Sequence, residues 1–426
     1  MRRWLPRVLL FWVLATMAWI SLDRAWNQRF DFHHFYLDAA YVWEQGALNP
    51  DLKGPVPENL RQLPFYLPAV SVLLAPMAAG GPHLAAVVWT TLQLIAFGAT
   101  ILLLLRWSRR ESGDVAIVDP LPLVVACGLS LPVIYEATKF NQLSFFVLAL
   151  VLGGVIAVER RQPWRAGLLL GLALVLKLLP GIFLLWLILK REWRALAATL
   201  VAGTALTVVP SLLLFGPRQT IEYHRQWIAY NLEGASAKGM VDEDQELADH
   251  LIDRRNQSIP TVVSRLFWPG HKFRITHQPL QLSRETCVRV AYGLAAVLGL
   301  TLIWQTRRAG ATLPRFAWRS EAAVYLLGML IFSPLLRQYY LIWSLPALLL
   351  LVQAACNWHG PRSRPFGLAG LCIWLVGMLA LMSWDARVLG AHLIMLILLA
   401  AVLLAAASRA SDAGPPAARP AFEGIS

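Results

Sequence analysis

Charge is scarce in this chain. Only 15% of its 426 residues are Asp, Glu, Lys or Arg, against 57% hydrophobic residues. A soluble domain of that length needs about 25% charged residues to cover its surface. Cysteine is nearly absent too. Cys127, Cys287, Cys356 and Cys372 lie scattered in or beside apolar runs without metal-ligand spacing, so each is expected to be an ordinary thiol in a helix. A Walker-type phosphate loop, a dinucleotide-binding glycine fingerprint and a Cys/His zinc pattern are all missing. That leaves no support for a soluble domain using ATP or a nucleotide sugar. No internal repeat is evident.

Long apolar runs are plentiful instead. Segments such as 82–105 and 196–215 reach the roughly 20 residues that cross about 30 Å of hydrocarbon. The net charge of +13 invites a nucleic-acid reading, but its distribution excludes one. Basic residues gather in short loops: Arg2/Arg3/Arg7, Arg106/Arg109/Arg110, Arg160/Arg161/Arg165, Lys190/Arg191/Arg194, Arg307/Arg308/Arg315/Arg319 and Arg362/Arg364. This is the positive-inside pattern, and it sets orientation without calling for a nucleic-acid partner. The segment 1–22 has a signal-like look but no convincing small-x-small cleavage site, so it reads as a first span that stays attached.

With those loops in the cytoplasm, spans fall near 4–22, 82–105, 120–135, 143–158, 196–215, 286–305, 322–335, 339–353, 366–382 and 388–407. The stretch 63–79, with Pro64, Pro68 and Pro76, is expected to be re-entrant or interfacial. The stretch 166–189 has cytoplasmic-type charge on both flanks. One continuous helix of about 24 residues, roughly 36 Å, would invert everything after it. A hairpin broken at Lys177-Leu-Leu-Pro180-Gly181 avoids this. The expected fold is therefore an all-α polytopic membrane protein of about 12 helices with both termini inside. It forms a single domain over 1–410, with outer loops 23–62 and 216–285, no large soluble domain, and a disordered tail over 411–426.

After the first span comes Asp31-Phe32-His33-His34-Phe35-Tyr36-Leu37-Asp38. On helical spacing, Phe32, Phe35, Tyr36, Ala39 and Trp43 form an apolar stripe and Asp31, His34, Asp38 and Gln45 a polar one. Such a helix lies in the interface with its acids toward an outer cavity. An acid there can be a general base for a sugar hydroxyl, or simply a solvated group. His33 and His34 point apart and make a poor metal pair. Lys177 lies roughly 18 Å along a helix from Arg165, where an ammonium needs water or an anion such as a lipid phosphate. Arg337, at another outer turn, is either a second phosphate candidate or an ordinary interfacial arginine. Glu136, Lys139 and Gln142 form a third turn, open to a cavity role or to local ion pairing. Asn256-Gln257-Ser258 has the form of a glycosylation sequon, and the acidic run 241–253 reads as a solvated surface helix.

Taken in order, these residues resemble glycosyltransferase family 87 of the GT-C superfamily. The matching pieces run from Asp31-Phe32…Phe35-Tyr36 through Phe65-Tyr66-Leu67-Pro68, Asn141-Gln142, Pro163-Trp164-Arg165-Ala166-Gly167…Lys177…Pro180 and Asn256-Gln257-Ser258 to Ser333-Pro334…Tyr340-Leu341…Pro346. The resemblance implies a GT-C fold, a polyprenyl-phosphate-mannose type of donor and Asp31 as catalytic base. It makes Asp38 a secondary candidate and favours Asn256-Gln257-Ser258 as a family feature over a sequon. Two departures stand out. The family's Gly-Gln-x-Asn turn is here Asn141-Gln142-Leu143-Ser144, and Arg337-Gln338-Tyr339-Tyr340 replaces the Trp and His that follow Ser-Pro in many members.

The resulting expectation is an inverting hexosyltransferase of the plasma membrane, acting at the outer face on a lipid or glycan acceptor. Asp31 is its base, and Lys177, Arg337, His34, Asp38, Gln142, Asn256, Gln257 and Tyr340 bind substrate. No cofactor or metal is called for, the sugar-lipid donor being a substrate. A lipid or sugar transporter, or a catalytically retired family member, is the alternative.

Overall fold

The computed structural model describes residues 5–48, 66–112, 115–235, 255–278, 280–307, 313–380 and 382–411. The acidic run 241–253, part of the loop 23–62 and the tail expected to be disordered, apart from Ser411, lie outside the described residues.

Apart from one antiparallel hairpin, Arg109–Ser112 with Val115–Val118, the regular structure of the described residues is helical. Among the described residues five stretches are long and apolar enough to cross a membrane: Pro68–Trp107, which begins with α3 (Pro68–Leu74), Trp193–Ala229, Arg284–Thr306, Gln338–Ala355 and Ala391–Arg409. Helices α5 (Leu121–Leu129) and α6 (Leu131–Lys139) make a sixth if counted as one span bent by 60°. The span expected over 120–135 is therefore bent, not plain. Pro132, which lacks an amide donor, sits just past the bend at Ser130. Shorter apolar helices are α7 (Ser144–Glu159), α8 (Pro163–Leu176), the stretch Leu179–Leu189 and α15 (Arg364–Ala380). Helix α1 (Leu5–Trp26), of 22 residues, covers the first expected span, at about 33 Å. Bare apolar side chains on the perimeter, such as Leu213 at 82% exposure and Leu300 at 66%, suit hydrocarbon rather than water.

The chain is sorted into two ends by its cross-links. At the first, α8 begins and α9 (Ile182–Leu189) finishes side by side, because Arg161 and Glu192 form an ion pair of 3.0 Å. Glu159 closes α7 there and takes Arg315 at 3.1 Å and Arg319 at 3.0 Å, both from α13 (Arg315–Ile331). Arg319 also donates to the Trp107 carbonyl at the end of α4 (Gly81–Trp107). Lys190 is buried, pairs with Glu321 and donates to the Thr306 carbonyl at 2.8 Å. This basic end thus gathers most of the loops whose charge suggested a cytoplasmic side.

The expected break in 166–189 is present. Lys177 ends α8 in extended conformation, φ −159° and ψ 134°, and a 3-10 turn over Leu179–Gly181 leads into α9. Helix α8 lies unusually close to α10 (Trp193–Ala235). A Cβ on Gly167 would fall 2.3 Å from that of Ala198, and one on Gly171 would fall 2.8 Å from the Gly203 nitrogen. Small residues four apart allow that backbone approach. Helix α10 is interrupted at Gly216, whose φ of 74° suits only glycine, with Pro217 next. That is where the expected span 196–215 ends.

Helices differ sharply in depth. In Gln338–Ala355, which comprises a 3-10 stretch (Gln338–Ser344) and α14 (Leu345–Ala355), 89% of the spanning window is buried in the protein. In α12 (Arg284–Thr306) the figure is 22%. The first is the central post and α12 is perimeter. Helix α11 (Ile259–Phe267), α16 (Trp384–Val388) and α17 (Ala391–Ser411) complete the chain.

Candidate active site

The site lies at the end opposite the basic one and begins with a constrained backbone. Phe30 precedes α2 (Asp31–Gln45) with φ 58°, a left-handed conformation that costs a non-glycine residue roughly 1–3 kcal/mol. Its ring is held by Phe140 at 4.8 Å, and Phe140 packs on Tyr339 at 5.0 Å. This geometry starts α2 with Asp31 in its first turn, where helix-end amides favour a carboxylate. The turn carrying Phe140 is clamped in its own right. Asn141, buried with φ 53°, accepts from the Ser21 hydroxyl at 2.6 Å and donates to the Ser21 carbonyl at 3.0 Å. Gln93 donates to the Gln142 carbonyl at 2.7 Å, and the Trp343 indole donates to the Ser144 carbonyl at 3.0 Å.

Asp31 is half-buried, and Lys177 and Arg337 both act on its charge. Burial is the larger influence and raises its carboxyl to about 6, while the two cations pull it down. Tyr66, Tyr339 and Tyr340 share the same field. Burial and the Asp31 charge push the Tyr66 phenol well above its ordinary value, so it remains a neutral proton donor. Tyr339 is hydrogen-bonded to Tyr340 and to Gln142. The Lys177 ammonium has no hydrogen-bond partner among the described residues. It sits 3.8 Å from the Tyr340 ring centroid and 5.6 Å from that of Trp343, with those two rings stacked at 5.2 Å. Aromatic faces thus stabilise the cation and leave its N–H groups available to an anion.

Arg337 is held through its neighbours. Asn256 is fully buried, and its amide oxygen accepts from the backbone of Leu336 at 2.9 Å and Ser258 at 3.0 Å. Its amide nitrogen donates to the Pro334 carbonyl at 3.1 Å. Gln257 donates from its backbone to the Leu336 carbonyl at 2.8 Å. Asn256 is therefore a clip that fixes the segment before Arg337, and burial removes it from reach as a glycosylation acceptor. The Gln257 side chain is buried, with neither polar atom hydrogen-bonded among the described residues.

Asp31, Lys177, Arg337, Gln142 and Tyr340 thus come together. His34 and Asp38 lie four residues apart on α2, both half-buried, and burial pushes Asp38 to about 7. The buried stripe of α2 is Phe32, Phe35, Ala39 and Val42. Trp43, expected in that stripe, is 53% exposed. Glu136 and Lys139 pair with each other at 3.4 Å, the local alternative for that turn. Among the described residues no three His, Cys, Asp or Glu side chains gather as a metal site would require. Tyr66, Tyr339 and Trp343 had no site role from sequence. Their positions in Phe65-Tyr66-Leu67-Pro68 and Tyr339-Tyr340 were the available signal, but no helical period links them to Asp31.

The sequence profile of glycosyltransferase family 87 matches residues 65–334. The chain belongs to glycosyltransferase family 87. Its relatives in the family include a polyprenol-phosphate-mannose-dependent alpha-(1-2)-phosphatidylinositol mannoside mannosyltransferase of Mycolicibacterium smegmatis, 34% identical over 45% of this chain and 41% of the relative. The mannosyltransferase of the same description from Mycobacterium tuberculosis is 28% identical over 44% of this chain and 48% of the relative. The match thus spans less than half the length of these two relatives. A pentamannoside mannosyltransferase of M. smegmatis is 26% identical over 90% of this chain and 84% of its own length. No solved structure matches the chain significantly.

Proposed function

We propose that this family 87 member is an inverting hexosyltransferase that moves a sugar from a polyprenyl-phosphate carrier to a lipid or glycan acceptor. The sugar is mannose, by likeness to relatives named for polyprenol-phosphate-mannose dependence. The chain makes about twelve crossings of the plasma membrane, with the short arms α8 and α9 forming a hairpin. The basic end and both termini are cytoplasmic, and the site faces outward. The observation that carries this reading is one carboxylate coupled to two cations, Lys177 and Arg337, at the end away from the basic loops.

The donor phosphate binds between Lys177 and Arg337. Asp31 takes the proton from the acceptor hydroxyl as that oxygen bonds to the anomeric carbon, while the bond from that carbon to the phosphate oxygen breaks. The leaving polyprenyl phosphate keeps the electron pair, and the cations stabilise its growing charge. One displacement inverts the anomer. Tyr66, as a neutral phenol, can donate to a phosphate oxygen, and Arg337-Gln338-Tyr339-Tyr340 stand where many members have a Trp and a His after Ser-Pro. Asn256 positions Arg337, and α2 lies in the outer interface.

The test is transfer of radiolabelled mannose from polyprenyl-phosphate mannose in membranes. Asp31→Asn lowers the rate by about 10²–10⁴-fold, the usual contribution of a general base. Retained turnover at normal protein level would remove Asp31 as the base. Uptake of sugar-lipid by reconstituted protein without any transfer would favour a transporter.

A further inference from the structure

Beyond the interruption at Gly216, α10 carries Thr220, His224 and Trp227 at intervals of four and three residues, which puts all three on one face. Thr220 and Trp227 are buried and His224 is half-buried. The Thr220 hydroxyl, His224 Nε2 and the Trp227 indole nitrogen are themselves buried, and none has a hydrogen-bond partner among the described residues. Polar atoms are costly to bury unmet, so three on one stripe call for a common partner. Their roles are fixed by chemistry. His224 Nδ1 lies 2.8 Å from the Thr220 carbonyl. A carbonyl only accepts, so Nδ1 carries the hydrogen, and in the neutral ring Nε2 is an acceptor. The indole only donates, and the threonine hydroxyl does both. An anion would meet the imidazole lone pair, and a cation would meet the indole N–H. Neutral hydroxyl groups satisfy all three, because each donates and accepts.

The stripe packs toward α2. Trp227 belongs to one apolar cluster with Phe32 and Phe35 of α2, Val70 of α3 and Trp89 of α4. Phe32 and Phe35 lie on the buried face of the helix that Asp31 begins. The Trp89 ring sits 5.2 Å from that of Phe35, and its indole nitrogen is also buried without a hydrogen-bond partner among the described residues. Aromatic faces with a few separate polar atoms suit a sugar, whose C–H groups rest on rings while its hydroxyls are hydrogen-bonded. We infer that Thr220, His224 and Trp227 form a subsite for a neutral, hydroxyl-bearing sugar unit of the acceptor. Gly216, with φ 74°, is the joint at which this half of the helix lifts to admit it. The inference rests on the proposed transfer to an acceptor and adds which side chains select that acceptor.

The experiment uses full-length protein in nanodiscs, labelled with 5-fluorotryptophan, and the methyl α-glycosides of mannose, glucose and galactose as probes. The fluorine resonance of Trp227 is identified by its loss in Trp227→Phe. At least one of the three sugars shifts it in wild type. His224→Phe and Thr220→Val each weaken that sugar about threefold to tenfold, the worth of one neutral hydrogen bond, whereas Thr220→Ser binds as wild type does. Should His224→Phe fail to fold by thermal unfolding, His224→Leu takes its place. No shift with any of the sugars, or a shift with inorganic phosphate in their stead, overturns the assignment. Transfer is then read with the octyl glycoside of the sugar that binds as acceptor. Thr220→Val and His224→Phe raise its KM about threefold to tenfold and leave the KM for polyprenyl-phosphate mannose unchanged. An equal rise in both KM values makes the stripe merely structural and also overturns the subsite. Sugar binding beside Trp227 without any transfer in wild type would leave the subsite standing and sink the enzymatic reading. Normal transfer with an unchanged acceptor KM in both variants would do the reverse.

Discussion

At the basic end of the bundle, Lys190 meets Glu321, Glu159 takes both Arg315 and Arg319, and Arg161 pairs with Glu192. At the opposite end, one carboxylate, Asp31, faces two cations, and the Lys177 ammonium rests on aromatic faces with no acid in contact. The first arrangement matches each charge with a carboxylate or carbonyl and fastens helix ends together. The second sets one carboxylate among two cations and leaves the Lys177 N–H groups without a hydrogen-bond partner among the described residues, an arrangement that suits a ligand with a phosphate. Charge pairing therefore separates scaffold from site more clearly than burial does, since each end buries a lysine, Lys190 at one and the Lys177 ammonium at the other.

That contrast can be broken from either side. The largest expected effect is on the scaffold: Glu321→Ala strands the buried Lys190 and costs about 3–5 kcal/mol of stability. It is read as a fall in the thermal midpoint of detergent-solubilised protein, while transfer per folded molecule stays near wild type. A loss of specific activity without a change in stability would mean that the two ends are not separate. Next is the aromatic support of Lys177. Tyr340→Leu removes a desolvated cation–π contact of about 2 kcal/mol and lowers transfer roughly thirtyfold, whereas Tyr340→Phe keeps the ring and most of the rate. Equal damage from both variants would assign the role to the hydroxyl instead.

Acidity gives a third test. Because burial raises the Asp31 carboxyl to about 6, the proposed base is charged above that pH and protonated below it. Transfer falls as pH drops through 6, reaching about one tenth at pH 5. Lys177 pulls the carboxyl down, so Lys177→Met moves the midpoint of the pH–rate profile upward. A midpoint that stays put in this variant would separate Lys177 from the acid. The smallest effect belongs to Arg161→Ala, at an ion pair whose arginine is 61% exposed. It changes stability by about 0–1 kcal/mol and leaves activity alone.

Much of the scaffold was legible in the sequence because membranes impose length and charge rules. The hairpin break at Lys177, the interruption at Gly216 and the clustering of basic loops at one end all follow from proline, glycine and charge placement. Lys190 and Arg319 were read only as orienting charges. Their partners, buried Glu321 and half-buried Glu159, lie 131 and 160 residues away, beyond any local period. On α2 the period placed Phe32, Phe35 and Ala39 correctly, but Trp43 turned outward in favour of Val42. An interfacial helix can satisfy an aromatic ring in lipid as well as in a core, so periodicity does not choose between them. Tyr66, Tyr339 and Trp343 gather around the acid and the lysine through contacts that span the chain, and only the fold brings them together.

The Asn256 clip also bears on when the site comes into being. It joins Leu336 across 80 residues, and Arg337 follows directly. A ribosome that has delivered the first three hundred residues has supplied the acid, the lysine and the clip, yet the guanidinium and the aromatic support are still unmade. Chains cut short before that point carry no complete set of groups, so the assembly becomes competent only after its central post has been threaded into the membrane.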